Sequence, residues 1–165
     1  MTPTLLGRIQ TRIFALVTVG LLWTVLVTPL VRLLVDDDGR RPGLGDVYDV
    51  TISALFWITV LGVGWELLYH FLQQFRWEKD WPTFFGFLTG INEGILTFVV
   101  LTSANPFDLF GLEGSNEIVP VDAYALHFIT TWIVVFLFVN GPIRVLTVRY
   151  RFRGGNVVSP GGWRA

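Results

Sequence analysis

Four apolar stretches, separated by polar connections, dominate the pattern of residues along this chain. Each is close to the roughly 20 apolar residues that a membrane-spanning α-helix needs. A hydrocarbon environment leaves every backbone group to be satisfied within the segment, so each stretch is predicted to be helical. The pattern therefore predicts an all-α, four-helix transmembrane bundle, with helices at about 13–35, 47–72, 82–103 and 123–146.

The first stretch carries Arg8 and Arg12 just before it, in the manner of a signal peptide. The uncharged run from Ile13 to Val31 is longer than the roughly 7–15 apolar residues typical of a cleaved signal, and no small-residue cleavage site follows. We therefore expect a retained signal-anchor helix. Pro29 should kink this helix, and nearby threonine side chains are expected to satisfy the carbonyl that the proline frees.

The connections have the composition of turns and membrane-surface loops. Residues 36–45 are rich in Asp, Arg and Gly, with Asp46 placed to cap the next helix and Asp49 in its first turn. Residues 73–80 are short, polar and aromatic, and residues 104–122 form a long acidic loop. The sequence predicts one transmembrane domain over residues 1–153, followed by a flexible cytoplasmic tail over 154–165.

The basic residues indicate an orientation for four spans. Cytoplasmic loops of membrane proteins carry an excess of Lys and Arg. Three basic residues lie on one side of the predicted bundle, namely Arg32, Arg40 and Arg41. The other side carries Arg8, Arg12, Arg76, Lys79, Arg144, Arg149, Arg151, Arg153 and Arg164. This asymmetry predicts that both termini are cytoplasmic, in a multi-pass protein of the inner (plasma) membrane.

The composition agrees with a membrane protein and excludes several classes of function. Of 165 residues, 52% are hydrophobic and 15% are charged, and the mean hydropathy is +0.57. The net charge of −1 gives no basic surface for nucleic acid. The absence of cysteine excludes disulfides, thiolate metal sites and a cysteine nucleophile. The predominance of Arg over Lys suggests a bacterial source.

Polar side chains interrupt the apolar stretches at helical spacing. Charged groups inside a membrane normally face protein or a water-filled cavity, since their insertion costs at least about 2.5–3.5 kcal/mol each. We therefore expect the polar faces of the four helices to meet in the centre of the bundle. The residues of this predicted buried polar network are Glu66, His70, Asn92, Glu93 and His127.

Three interpretations of this network remain open. Carboxylate and imidazole groups can form a proton or ion path. Glu66, His70, Glu93 and His127 are also weak candidates for a Zn or Fe site, although their spacing differs from the Glu-x-x-His pairs of known bundle sites. In the third interpretation the groups are structural: Glu66 pairs with His70 or Arg76, and Glu93 bonds to Asn92 or to a threonine.

Small and basic residues suggest where the chain makes contacts. Gly86, Gly90 and Gly94 repeat every fourth residue, and Gly62 lies on the polar face of the second helix. Small residues at this spacing allow helices to pack closely, within the chain or against another protein. The basic run near the C-terminus is predicted to bind the surface of anionic lipid; it comprises Arg144, Arg149, Arg151 and Arg153.

No catalytic motif stands out in the chain, so an enzymatic activity is not indicated, and neither is a cofactor. The first hypothesis is a small accessory or scaffolding subunit of a larger membrane assembly. Its partners would be the lipid bilayer and either other membrane subunits or further copies of itself, with no nucleic acid. The alternatives are a proton- or ion-translocating protein and, third, a metal-binding helical bundle.

Overall fold

The computed structural model describes residues 4–35, 42–75, 83–103 and 120–146, together with Val157, and these segments are helical almost throughout. The long connections 36–41, 76–82 and 104–119 lie outside the described residues, as do Arg149, Arg151 and Arg153. The helices are α1 (Leu5–Ala15), a π-helical turn (Leu16–Gly20), α2 (Leu21–Leu34), α3 (Leu44–Gln73), α4 (Thr83–Ser103), α5 (Val121–Asn140) and α6 (Pro142–Leu146).

Within the described residues, three helices are long and apolar enough to cross a membrane: Leu5–Leu34, Leu44–Gln73 and Val121–Leu146. The segment Gly86–Thr102 of α4 is a shorter apolar helix. Large apolar side chains cover the outer surface of the protein, and Leu26, for example, is 63% exposed. Such a surface is favourable in lipid and costly in water, so the chain has the character of a membrane protein.

The helix of α1 and α2 begins at Leu5, well before the start near residue 13 expected from hydropathy. Thr4 is its N-cap, and the Thr4 side chain accepts a hydrogen bond from the backbone N–H of Gly7 at 3.1 Å. Arg8 and Arg12 therefore lie inside the helix rather than in a flanking segment. Hydropathy did not detect these first two turns because polar residues interrupt them.

The π-helical turn shifts the buried face of this helix by one residue. Gly7, Thr11 and Ala15 are buried before the shift, whereas Gly20 and Thr24 are buried after it. In a regular α-helix, Arg12 and Thr24 would lie about 120° apart around the axis. The extra residue of a π turn reduces this separation to about 20°. Both residues therefore face the interior of the bundle.

Pro29 lies within α2, where its ring prevents a hydrogen bond to the carbonyl of Val25. The Tyr48 hydroxyl, on α3, donates a hydrogen bond to this carbonyl at 2.9 Å. The expected threonine partner is therefore replaced by a tyrosine from a neighbouring helix. Thr28 instead donates to its own helix, at the carbonyl of Thr24 (2.6 Å).

The helix α3 begins at Leu44, with Gly43 as its N-cap. The Asp46 carboxylate accepts a hydrogen bond from the backbone N–H of Gly43 at 3.0 Å, so Asp46 completes the cap from the first turn. The core lies between α2, α3 and α5. Its largest apolar cluster includes Leu16, Leu55 and Ile58 with aromatic side chains from α5.

The contact between Tyr48 and the Val25 carbonyl gives a test of the fold. The Tyr48→Phe variant should lose about 1 kcal/mol of unfolding free energy, because the Val25 carbonyl loses the donor that the described residues supply to it. In a Pro29→Ala background, the new backbone N–H at residue 29 can bond to Val25, and Tyr48→Phe should then be nearly neutral. Equilibrium unfolding of the four variants in detergent measures both effects. An equal cost in the two backgrounds would contradict this assignment.

Candidate functional site: an ion cluster inside the bundle

Two arginines on one face of α1 form the positive half of a cluster within the bundle. Arg8 and Arg12 are four residues apart, so their side chains lie one above the other on the same side of the helix. Their side chains are only 17% and 9% exposed, respectively. A guanidinium group stays protonated in proteins, so each buried arginine requires an acceptor that carries negative charge.

Glu66 of α3 bridges the two arginines. Its Oε2 atom accepts a hydrogen bond from Arg8 Nε at 2.6 Å, and its Oε1 atom accepts one from Arg12 Nη1 at 2.9 Å. Arg8 also donates from Nη1 to the Oε1 atom of Gln73, about two turns further along α3, at 2.8 Å. These contacts attach α1 to the last two turns of α3.

Glu93 of α4 closes the cluster from the opposite side. Arg12 Nη2 donates to the Glu93 Oε2 atom, and the Glu93 side chain is 2% exposed. The other carboxylate oxygen, Oε1, is buried without a hydrogen-bond partner among the described residues. Arg12 thus joins two carboxylates that belong to different helices.

The neighbours of Arg12 leave space for its guanidinium group. A Cβ atom on Gly62 would overlap the Arg12 guanidinium, so this position of α3 accepts no larger residue while Arg12 is in place. On the far side, the Arg12 Cζ atom lies 5.7 Å from the ring centroid of Trp132 on α5. A guanidinium over an aromatic face gains a further attraction, which strengthens when water is excluded.

The cluster therefore combines two formal positive and two formal negative charges and connects four helical segments. Charge balance is essential here, since the loss of one partner from a buried pair costs about 3–5 kcal/mol. Glu66 bonds to both arginines, whereas Glu93 bonds to Arg12 alone. Its stability consequently depends most on Arg12.

A second polar centre surrounds His127 on α5. His127 is 1% exposed, and its Nε2 atom lies 3.0 Å from the Thr24 hydroxyl oxygen of α2. One turn along, the hydroxyl oxygens of Thr28 and Thr51 lie 2.9 Å apart. The Nδ1 atom of His127 has no hydrogen-bond partner among the described residues.

A small cavity of about 60 Å³ opens beside this second centre. Its walls are mainly apolar, with polar contributions from His127, Thr51 and Asp46. The volume is enough for a few water molecules. His127 therefore lies between a threonine inside the bundle and a cavity toward the Leu44 end of α3.

A row of aromatic side chains runs along α5 and packs in the core of the bundle. Tyr124, Phe128 and Trp132 follow each other on α5, with ring centroids separated by 5.8 and 6.1 Å. The Tyr124 hydroxyl donates to the carbonyl of Gly94 on α4 at 2.8 Å. The row thus extends from the Gly94 carbonyl at Tyr124 to the Arg12 guanidinium at Trp132.

The glycines of α4 provide space for these rings. A Cβ atom on Gly90 would overlap the Trp132 indole, and one on Gly94 would lie 2.6 Å from Phe128. A Cβ on Gly86 would have nothing within 4 Å among the described residues. The repeat thus packs aromatic side chains within the chain at two of its three positions.

The remaining predicted residues are spread over the surface of the bundle. His70 is partly buried on α3, and its Nδ1 atom has no hydrogen-bond partner among the described residues. The prediction that Asn92 is buried is wrong: successive residues point about 100° apart around an α-helix, and with Glu93 turned inward Asn92 is exposed on the outer side of α4. Arg144 is exposed on α6 and donates to the Asn140 side chain at 2.9 Å. The structure therefore groups Glu66 with Glu93 and leaves His127 in a separate centre.

Metal-ligating side chains are not concentrated in the described part of the chain. Within it, no group of three His, Cys, Asp or Glu side chains lies close enough to hold a metal ion. Glu66 and Glu93 do converge on one group, but that group is the Arg12 guanidinium, which is a cation. In this geometry, the arginine occupies the position that a metal would need.

The sequence pattern does not assign the two arginines to this site. From that pattern, Arg8 and Arg12 are predicted to flank the first span, and His70 or Arg76 is predicted to pair with Glu66. The four-residue spacing of the two arginines is the feature of the sequence that points to this site, because it places both side chains on one face of a helix. Acidic residues in otherwise apolar spans also indicate that cations or hydrogen-bond partners lie nearby.

Comparison of the chain with protein-family models, with curated proteins and with solved structures finds no match. The functional argument therefore depends on the geometry of this chain alone.

The charge balance of the cluster predicts how substitutions combine. Arg12→Met should destabilise the protein by about 3–5 kcal/mol, because it leaves one negative charge in excess. Glu93→Gln should also destabilise the protein, because it leaves one positive charge in excess. The double variant is neutral again and should be more stable than the sum of the two single effects implies, by at least about 1 kcal/mol.

Unfolding in detergent of the parent, both single variants and the double variant gives the coupling energy directly. Glu66 keeps Arg8 in every variant, so the remaining pair is constant. Strict additivity of the two substitutions would show that Arg12 and Glu93 do not interact.

Proposed function

We propose that this protein is a small accessory or scaffolding subunit of a larger membrane assembly. In this proposal the four long helical segments span the bilayer as a bundle, and both termini lie in the cytoplasm. The observation that carries the proposal is the ion cluster, in which every charged group is engaged by another part of the chain. Such a cluster fixes the relative positions of helices rather than presenting a reactive group.

The orientation is supported by the distribution of basic residues. Arg8 and Arg12 lie near the start of α1, on the side where Glu66 and Gln73 occupy the last turns of α3. The same side would carry the C-terminal basic run, in agreement with the excess of cations on cytoplasmic faces.

The scaffold proposal predicts that other membrane proteins accompany this chain. A tagged copy extracted from its native membrane in mild detergent should co-purify with at least one other membrane protein in fixed stoichiometry, detected by native gel and mass spectrometry. The single variant Arg12→Met, which leaves one negative charge in excess, serves as a control for loss of the bundle. Recovery of this chain alone, as a single small particle, would overturn the proposal.

A proton-translocating role is the second candidate, and two observations favour it. Glu93 Oε1 and His127 Nδ1 are buried without hydrogen-bond partners among the described residues, and His127 borders the cavity. Chains of carboxylate and imidazole groups carry protons in membrane pumps and transporters. Against this role, Arg12 pairs with both Glu66 and Glu93, so these carboxylates are engaged in fixed ion pairs.

Proton flux distinguishes the two candidates. The scaffold proposal predicts that liposomes containing the purified protein acidify no faster than empty liposomes when a potassium gradient and valinomycin impose an inside-negative potential. Flux in the parent that is lost in Glu93→Gln, with the folded bundle preserved, would establish the translocation role instead. A Leu26→Ala variant, altered on the outer surface, controls for general leakage.

A further inference from the structure

Two adjacent polar residues of α4 differ in exposure, one facing the interior of the bundle and the other its outer surface. Glu93 points into the bundle and is 2% exposed, whereas Asn92 is exposed on the outer surface. Asn92 is near the middle of the 21-residue helix Thr83–Ser103. Its amide makes no hydrogen bond to the residues that the structure describes.

An exposed amide at this depth is unfavourable in a bilayer. The hydrocarbon core offers no water to satisfy the two N–H donors and the carbonyl acceptor of an asparagine. By contrast, the exposed Thr18 of the π turn satisfies itself, because its hydroxyl donates to the carbonyl of Phe14 at 2.6 Å. The Asn140 amide likewise donates to its own helix, at the carbonyl of Phe136 (2.9 Å), whereas the Asn92 amide makes no such bond and is available to a partner outside the chain.

The residues around Asn92 form an apolar seam with the spacing of a helix pair. Asn92, Ile95, Val99 and Thr102 are separated by three, four and three residues, the pattern of alternating a and d positions in a left-handed coiled coil. Ile95 is 61% exposed and Val99 is 47% exposed. The Thr102 hydroxyl bonds to the Phe98 carbonyl of its own helix at 2.9 Å.

We propose that two copies of this chain pair through the outer face of α4, with their Asn92 amides hydrogen-bonded across a two-fold axis. An amide carries both donors and an acceptor, so each copy can donate to the other and accept from it. Identical surfaces then meet, as a two-fold interface requires. A single asparagine at an a position also fixes the register and the number of helices in such pairs.

Electrostatics permit this pairing. The seam itself contains no charged residue, and Glu93 is turned inward toward Arg12. Two copies therefore meet without opposing like charges. The inference rests on the proposed position of α4 as a membrane-spanning helix, and it names one partner of that proposed subunit as a second copy.

Disulfide mapping tests the interface, and the chain is suited to it because it has no cysteine of its own. Cysteines at Ile95 and Val99 should form disulfide-linked dimers in oxidised membranes, since disulfides require Cα atoms about 4.4–6.8 Å apart. Leu26→Cys, on the exposed face of α2 and 63% exposed, is the matched control and should remain monomeric. Equal cross-linking at Ile95 and Leu26 would overturn the proposal.

Substitution of Asn92 tests the hydrogen bond itself. Asn92→Leu should weaken dimerisation by about three- to tenfold, the range expected for hydrogen bonds between membrane helices. Asn92→Gln retains the amide and should keep most of the affinity. Energy transfer between labelled copies in liposomes measures the monomer–dimer equilibrium, and an unchanged equilibrium in Asn92→Leu would contradict the proposed pairing.

These outcomes are distinct from those of the co-purification experiment. A dimer that contains only this chain would support the α4 interface while overturning the role as a subunit of a larger assembly. Co-purifying proteins together with a monomeric chain would support that role and overturn the self-pairing.

Discussion

A guanidinium group inside an apolar bundle must be neutralised by nearby negative charge, and this constraint organises the structure around Arg12. The group cannot lose its proton, and burial without a counter-charge would cost more than the bundle could recover. Glu66 and Glu93 therefore converge on it from two helices, and Trp132 covers it from a third. Gly62 provides the space in which the group lies.

Two irregularities of the first long helix support this arrangement. The π turn brings Thr24 to the same side as Arg12, so one helix serves both polar centres. Pro29 frees the Val25 carbonyl, and the Tyr48 hydroxyl bonds to it, which adds a contact between α2 and α3. Both irregularities would be defects in an isolated helix, and each becomes a point of attachment within the bundle.

Hydropathy and helical spacing were sufficient to predict that the chain is helical, although they placed the start of the first helix eight residues too late. They also predicted Glu93 and His127 on inward faces, where both are buried, but Asn92 of the same predicted network is exposed. The partners of these residues could not be predicted in the same way. Arg12 adjoins an uncharged run, and a cation at that position is also typical of a cytoplasmic flank. A search for a period of 3.6 residues does not detect the one-residue shift at the π turn. The position of Tyr48 in the sequence likewise does not identify the Val25 carbonyl as its acceptor.

The contact between Arg12 and Glu93 can be measured directly in lipid. Solid-state NMR of protein labelled with ¹⁵N at the arginine side chains and ¹³C at the glutamate carboxyls detects dipolar coupling between the guanidinium nitrogen and the carboxyl carbon of an ion pair. The cluster predicts a guanidinium–carboxylate coupling in bilayers that weakens when Glu93 is replaced by Gln and disappears when Glu66 is replaced as well. Absence of this coupling in the parent protein would contradict the existence of the ion cluster on which the account depends.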